Sequence, residues 1–120
     1  MNNINFENSL FVMPLLVGFT FVIAAYLMLK FPPKEINYMY GYRTKNSMKT
    51  KERWFFSQIY SSKIMIYCGL SLMLLSVFGL LFKVSVAKGV FISTLCIIIS
   101  VIVLYIKTEK AIKQNFKNEN

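Results

Sequence analysis

Three long apolar segments without a charged residue dominate the sequence, at residues 8–29, 64–82 and 89–106. A helix rises about 1.5 Å per residue and the hydrocarbon core of a bilayer is about 30 Å thick, so roughly 17 to 25 apolar residues span it. A buried helix of a soluble bundle would keep one polar face, and none of the three segments has one. We therefore predict an all-α membrane protein with three transmembrane helices, at about 9–29, 64–82 and 89–106, in one domain over residues 1–120.

The first apolar segment differs from a cleaved signal peptide. Signal peptides start with cations and have an apolar stretch of about 7 to 15 residues. Here Glu7 is the only charged residue before a much longer apolar run. We expect this segment to stay as the first helix and to end at Lys30 and the Pro32-Pro33 pair, because proline lacks an amide proton and clashes with the preceding turn.

The distribution of charge predicts the orientation. The chain has 14 Lys and Arg against 5 acidic residues. Outside the apolar segments, twelve of the cations lie in residues 30–63 and 107–120, and two lie in 83–88. The positive-inside rule then predicts that the N-terminus and the short hairpin face outward, and that the long loop and the C-terminal tail are cytoplasmic. Membrane lipids account for the basic excess, since cations near the surface attract anionic lipids, and we expect no nucleic-acid partner.

The residues needed for most catalysis are missing. The sequence has no His and no Asp, and all five Glu lie outside the apolar segments. A Ser-His-Asp triad, a Cys-His pair and an ordinary zinc site are thereby excluded, as is a carboxylate proton relay within the membrane. We predict a protein that is not an enzyme, with no cofactor and no metal.

Small residues recur on one side of each apolar segment, which is typical of membrane helices that pack closely. The connection 83–88 is short enough to place the second and third segments in an antiparallel hairpin. Two alternatives are open for the small residues: packing within a three-helix bundle, or a seam between copies in a homo-oligomer. The predicted packing residues are Gly18, Ala25, Gly69, Ser76, Gly79, Gly89, Ser93, Cys96 and Ser100.

The loop between the first two segments carries the most unusual chemistry. Only Arg43 and Arg53 are arginines among fourteen cations, which makes their guanidinium groups candidates for bidentate or stacked contacts that lysine cannot make. No Pro or Gly follows until Gly69, so we predict one long helix from about Ser47, extending as an interfacial segment before the second span. Trp54 on this extension is either an interfacial anchor or part of a binding cluster.

The same loop resembles the SdpI family of bacterial membrane proteins. The residues that carry the resemblance are Gly41-Tyr42-Arg43-Thr44, then Ser47, Glu52 and Trp54, with Ser61-Ser62-Lys63 leading into the second span. Many relatives carry Asn shortly after the Trp, where this chain has Ser57 and Gln58.

The resemblance implies a non-enzymatic immunity protein of the bacterial cell membrane that gives resistance to a secreted antimicrobial or toxin peptide. It also implies signal transduction through the cytoplasmic motif, with a peptide toxin and a cytoplasmic repressor as partners. The alternative function is a structural or accessory membrane subunit that oligomerises or docks a larger partner. A transporter or enzyme has few residues to build on.

The resemblance carries over a set of motif residues, for which a physical role can be stated. Gly41 would allow a sharp turn. Arg43 would bridge helix-end carbonyls, Glu52 or a lipid phosphate, and Trp54 would cover the junction between the loop and the second helix. The predicted motif residues are Gly41, Tyr42, Arg43, Thr44, Ser47, Glu52 and Trp54.

Overall fold

The computed structural model describes residues 7–117, and within them it contains three α helices and no strand. They are α1 (Ser9–Lys30), α2 (Lys51–Gly79) and α3 (Val86–Asn115). Each helix is long and apolar enough to span a membrane. The predicted all-α architecture with three transmembrane helices is thereby confirmed. The last three residues of the predicted tail, 118–120, lie outside the described residues.

Each helix begins at a polar residue whose side chain accepts a hydrogen bond from a free backbone amide, as is usual for helix starts. Asn8 accepts from the amide of Leu10 at 2.8 Å, Thr50 caps α2, and Ser85 caps α3. The second helix therefore starts four residues later than the predicted start near Ser47. The reason is local: the Ser47 hydroxyl binds backbone groups of the preceding loop and is not available to cap a helix.

Two of the helices extend well beyond the apolar segments at the same end of the bundle. The first thirteen residues of α2, 51–63, precede the second apolar segment, and α3 continues through 107–115 after the third. At about 1.5 Å per residue these extensions are about 20 Å and 14 Å long. We call this end of the bundle, where α1 ends and α2 begins, the motif end. Most of the predicted C-terminal tail is thus helical.

At the opposite end, α2 stops at Gly79, three residues before the apolar segment does. The next residues form a turn, in which the amide of Phe82 donates to the carbonyl of Gly79 at 3.2 Å. The side-chain amide of Asn8 donates to the same Gly79 carbonyl at 3.0 Å and to the Phe82 carbonyl at 3.1 Å. The residue that caps the start of α1 therefore also binds two carbonyls at the end of α2 and in the turn that follows it.

Helices α1 and α2 touch backbone to backbone through two glycines. A Cβ atom added to Gly18 would lie 2.6 Å from the carbonyl oxygen of Gly69, and one added to Gly69 would lie 2.7 Å from the carbonyl oxygen of Gly18. Any side chain at either position would push the helices apart. This reciprocal close approach of the two backbones sets the rotation of α1 against α2.

Several of the other small residues also lie at contacts between helices of the same chain. Gly79 packs against Leu10, and the Ser93 hydroxyl donates to the carbonyl of Ser9 at 3.3 Å. Of the nine predicted packing residues, all are buried except Cys96 and Ser100, which are partly exposed. Most other side chains of the transmembrane part of α3 are exposed and apolar, as expected for a lipid-facing helix.

Candidate functional site

A network of hydrogen-bonded polar groups lies at the motif end, where residues 41–47, here called the motif loop, sit between the extensions of α2 and α3. The loop begins with a turn at Gly41, whose φ of 112° is a backbone conformation that side chains disfavour. A Cβ atom there would also lie 2.6 Å from Oε1 of Gln58 and 2.9 Å from Cγ of Pro33. Both conformation and space therefore require glycine at position 41.

Gln58 of α2 binds the backbone of Tyr42 with both ends of its side-chain amide. The Tyr42 amide donates to Gln58 Oε1 at 2.6 Å, and Gln58 Nε2 donates to the Tyr42 carbonyl at 2.9 Å. The Gln58 side chain is 0% exposed, so these two bonds supply partners that water cannot. They attach the motif loop to α2.

Ser47 closes the motif loop on itself. Its hydroxyl accepts from the amide of Thr44 at 2.8 Å and lies within hydrogen-bond distance of the Tyr42 carbonyl, at 3.2 Å. In return, the Ser47 amide donates to the Thr44 hydroxyl at 3.1 Å. Ser47 is fully buried, and its short side chain holds the curvature that brings the loop between the two helices.

Glu109 of α3 binds the loop from the other side. Its Oε2 atom accepts from the Tyr42 hydroxyl at 2.6 Å and from the Thr44 hydroxyl at 2.7 Å, and its Oε1 atom accepts from the side-chain amide of Asn46 at 2.8 Å. Three donors on one carboxylate form short, charge-assisted hydrogen bonds. Both oxygens are therefore occupied, and Glu109 acts as an anchor for the loop.

The protonation states of this cluster follow from its contacts, which lie beyond the apolar segments of the chain. Burial acts to raise the pKa of Glu109, but the three hydrogen bonds together with the charge of Lys113 outweigh it, so the pKa lies below its ordinary value. Burial, and then the adjacent carboxylate, raise the pKa of the Tyr42 phenol. At neutral pH the pair is an ionised carboxylate and a neutral phenol, the states in which this bond is strongest.

Trp54 joins α2 to the segment before the loop. Its indole nitrogen donates to the carbonyl of Pro33 at 2.7 Å, and the residue is 0% exposed. Trp54 is therefore a core residue that covers the junction, and it does not face the lipid as an interfacial anchor would.

The two arginines have different environments. Arg53 is 3% exposed and its guanidinium lies 5.4 Å from the ring centre of Phe116, a stacked arrangement that favours arginine over lysine. Arg43 is exposed, as is Glu52. Among residues 7–117 neither of these two forms a hydrogen bond or an ion pair, so Arg43 contacts neither Glu52 nor a helix-end carbonyl.

The structure thus brings together five of the predicted motif residues and leaves Arg43 and Glu52 at the surface. It also adds three residues that sequence reasoning did not place in the site: Asn46, Gln58 and Glu109. Two signals pointed toward them. Gln58 shares a helix face with the small polar residues of α2. In residues 107–117, which follow the third apolar segment, Glu109 is the only acidic residue and the other charged residues are lysines.

The fold and the site define a multi-pass helical membrane protein whose motif loop is bound by the extensions of two helices. The chain belongs to the SdpI/YfhL protein family, whose sequence profile matches residues 34–107, from shortly after α1 to the first residue beyond the third apolar segment. The resemblance drawn from the motif is thereby confirmed. Among curated proteins, YfhL of Bacillus subtilis (strain 168) is 37% identical over 97 residues, which cover 80% of this chain and 82% of YfhL. No solved structure matches the chain.

Proposed function

We propose that this protein is a non-enzymatic immunity protein of the bacterial cell membrane, which protects its host from a secreted antimicrobial peptide. The observation that carries the proposal is the family match over residues 34–107, because it spans the motif loop, all of α2 and the transmembrane part of α3. The hydrogen bonds of the site support a structural role and not a catalytic one, since Gln58 and Glu109 both use their polar groups to bind Tyr42.

We further propose that the motif end faces the cytoplasm. Twelve cations lie outside the apolar segments at this end and two at the other, which is the asymmetry of the positive-inside rule. In this orientation a peptide that displaces the transmembrane helices from the outside would also move their inner extensions. Because Gln58 and Glu109 bind the motif loop from two different helices, a movement of one helix against the other would change the conformation of the loop. This change would alter how the loop binds a cytoplasmic partner such as a repressor.

A sensitivity test examines the immunity role directly. A strain lacking the gene is challenged with secreted peptides of competing bacteria and is complemented with wild-type protein. We expect the deletion to raise sensitivity to at least one peptide and the wild type to restore resistance. Equal sensitivity with and without the gene, for every peptide that damages the membrane, would contradict the immunity role.

A matched pair of variants tests whether the clamped loop takes part. Glu109→Gln removes the charge that the loop donors bind, whereas Lys110→Gln changes the charge of the next residue, which is exposed. With equal amounts of protein in the membrane, we expect Glu109→Gln to reduce protection or the induced response and Lys110→Gln to retain both. Full activity of both variants would show that protection does not require the motif loop to be bound by Glu109.

The accessory-subunit alternative gains no separate support. Its docking seam would use small residues, and Gly18, Gly69 and Gly79 already contact backbone or side chains of their own chain at distances that admit no larger residue.

A further inference from the structure

A cavity of about 460 Å³ opens beside the motif loop, and we call it the motif pocket. One part of its lining is apolar and comes from all three helices, with Met28 of α1, Met65 of α2 and Leu104 of α3. The other part comes from the motif, and it includes Arg43 and the nearby Tyr105. The pocket is therefore amphipathic, with apolar side chains on one side and polar groups on the other.

The apolar part of the motif pocket lies where the charge-free segments reach their first cations. Met28 stands two residues before Lys30, Met65 two residues after Lys63, and Leu104 three residues before Lys107. In a membrane helix this transition marks the boundary between hydrocarbon and head groups, because lysine stems lie along apolar surface while the ammonium groups reach water. The pocket thus lies at the depth of the phosphate layer.

Arg43 is the unsatisfied charge of this pocket. It is exposed and forms no hydrogen bond or ion pair among residues 7–117. The carboxylate of the site, Glu109, has both oxygens occupied by three other donors. The guanidinium of this lining residue therefore has its donors available for a ligand, and their planar fork geometry matches the oxygens of a phosphate.

We propose that the motif pocket binds one anionic phospholipid, with its phosphate on the guanidinium of Arg43 and an acyl chain against Met28, Met65 and Leu104. Charge complementarity selects the anion, and the apolar walls select an amphiphile over a free phosphate. The bound lipid would fill the space between the motif loop and the three helices. This proposal does not depend on the immunity role.

The test uses the full-length protein in detergent, with phosphatidylglycerol and phosphatidylcholine as probes and native mass spectrometry to count bound lipids. We expect one phosphatidylglycerol to bind more tightly than phosphatidylcholine. Arg43→Gln should weaken phosphatidylglycerol binding by about tenfold or more, the range for a charge-assisted hydrogen-bonded pair. Lys45→Gln is the matched control, since Lys45 is an exposed cation of the same loop that does not line the pocket, and it should leave binding nearly unchanged.

A second variant examines the acyl-chain half. Leu104→Trp places a larger side chain in the apolar part and should also weaken phosphatidylglycerol binding, while hydrogen exchange of the motif loop verifies that the site remains folded. Equal weakening by Arg43→Gln and Lys45→Gln would overturn the proposal, because it would show attraction by net charge alone. Displacement of the lipid by millimolar inorganic phosphate, or unchanged lipid binding in Leu104→Trp, would instead identify a site for small anions and overturn the proposal that the pocket binds a phospholipid.

Discussion

The bond between Tyr42 and Glu109 allows a quantitative test of the clamped loop. Tyr42→Phe removes a hydroxyl that donates to the carboxylate at 2.6 Å and leaves the ring in place. Hydrogen bonds to charged groups contribute about 1.5 to 3 kcal/mol. Because Glu109 is partly exposed and solvent screens its charge, we expect Tyr42→Phe to cost less than most of that range, about 1 to 1.5 kcal/mol. Glu109→Ala removes all three acceptor contacts and should cost about 2 to 4 kcal/mol, less than three full bonds because the freed donors can bind water.

Hydrogen exchange of the loop amides is the suitable assay, because it reports local opening and not the unfolding of the whole membrane protein. The amides of Tyr42, Thr44 and Ser47 are each hydrogen-bonded to a side chain and should be protected. A loss of about 2 kcal/mol corresponds to protection about 30-fold lower, at 1.4 kcal/mol for each factor of ten. Glu109→Ala should therefore lower protection at these amides by at least that factor.

A double-mutant cycle isolates the pair. Tyr42→Phe and Glu109→Gln should show a coupling energy of about 1 kcal/mol. Tyr40→Phe is the control, since its hydroxyl donates to the carbonyl of Phe31 at 2.8 Å and not to Glu109. If Tyr40→Phe couples to Glu109→Gln as strongly as Tyr42→Phe does, or if Tyr42→Phe shows no coupling, the carboxylate does not hold the loop in the way described.

Two further predictions concern the same loop. The pKa of Glu109 is lowered in the folded protein, so its stabilising contribution should be present above the ordinary glutamate pKa of about 4.3 and be lost as the pH falls through the lowered folded value. Hydrogen-exchange protection of the loop amides, corrected for the intrinsic exchange rate, should fall over the same pH range. Glu109→Gln should remove this pH dependence. Gly41→Ala should lower the free energy of local opening of the loop by about 1 to 3 kcal/mol, because a φ of 112° disfavours any side chain. Hydrogen-exchange protection equal to that of the wild type would contradict this requirement for glycine.

The fold class could be predicted because the bilayer imposes it. Any segment that lacks charge over this length must satisfy its backbone internally, and a helix does so. Helix boundaries were less accessible, since they depend on contacts distant in the sequence. The end of α2 is one example: Gly79 is capped by Asn8, which lies 71 residues earlier and gives no sign in the sequence of that partnership.

The motif loop was predictable as a unit through its family resemblance, but its partners were not. Gln58 and Glu109 can bind the loop only if their helix faces are rotated toward it, and the rotation of a nearly uniformly apolar helix cannot be obtained from its hydrophobic pattern. Arg43 and Arg53 show the same limit. Composition marked both as unusual, yet only packing determined that Arg53 is buried against Phe116 and that Arg43 is exposed.

From the sequence alone came the number of membrane spans, the family and the residues of the motif, because hydrophobic length and residue identity are local properties. The tertiary structure alone decided which polar groups meet. Close contact of Gly18 with Gly69 holds α1 against α2 at one rotation, and the helix extensions then enclose the loop. Hydrogen bonds of the kind that Tyr42 forms act over about 3 Å, so their existence depends on this three-dimensional placement and not on the order of residues in the chain.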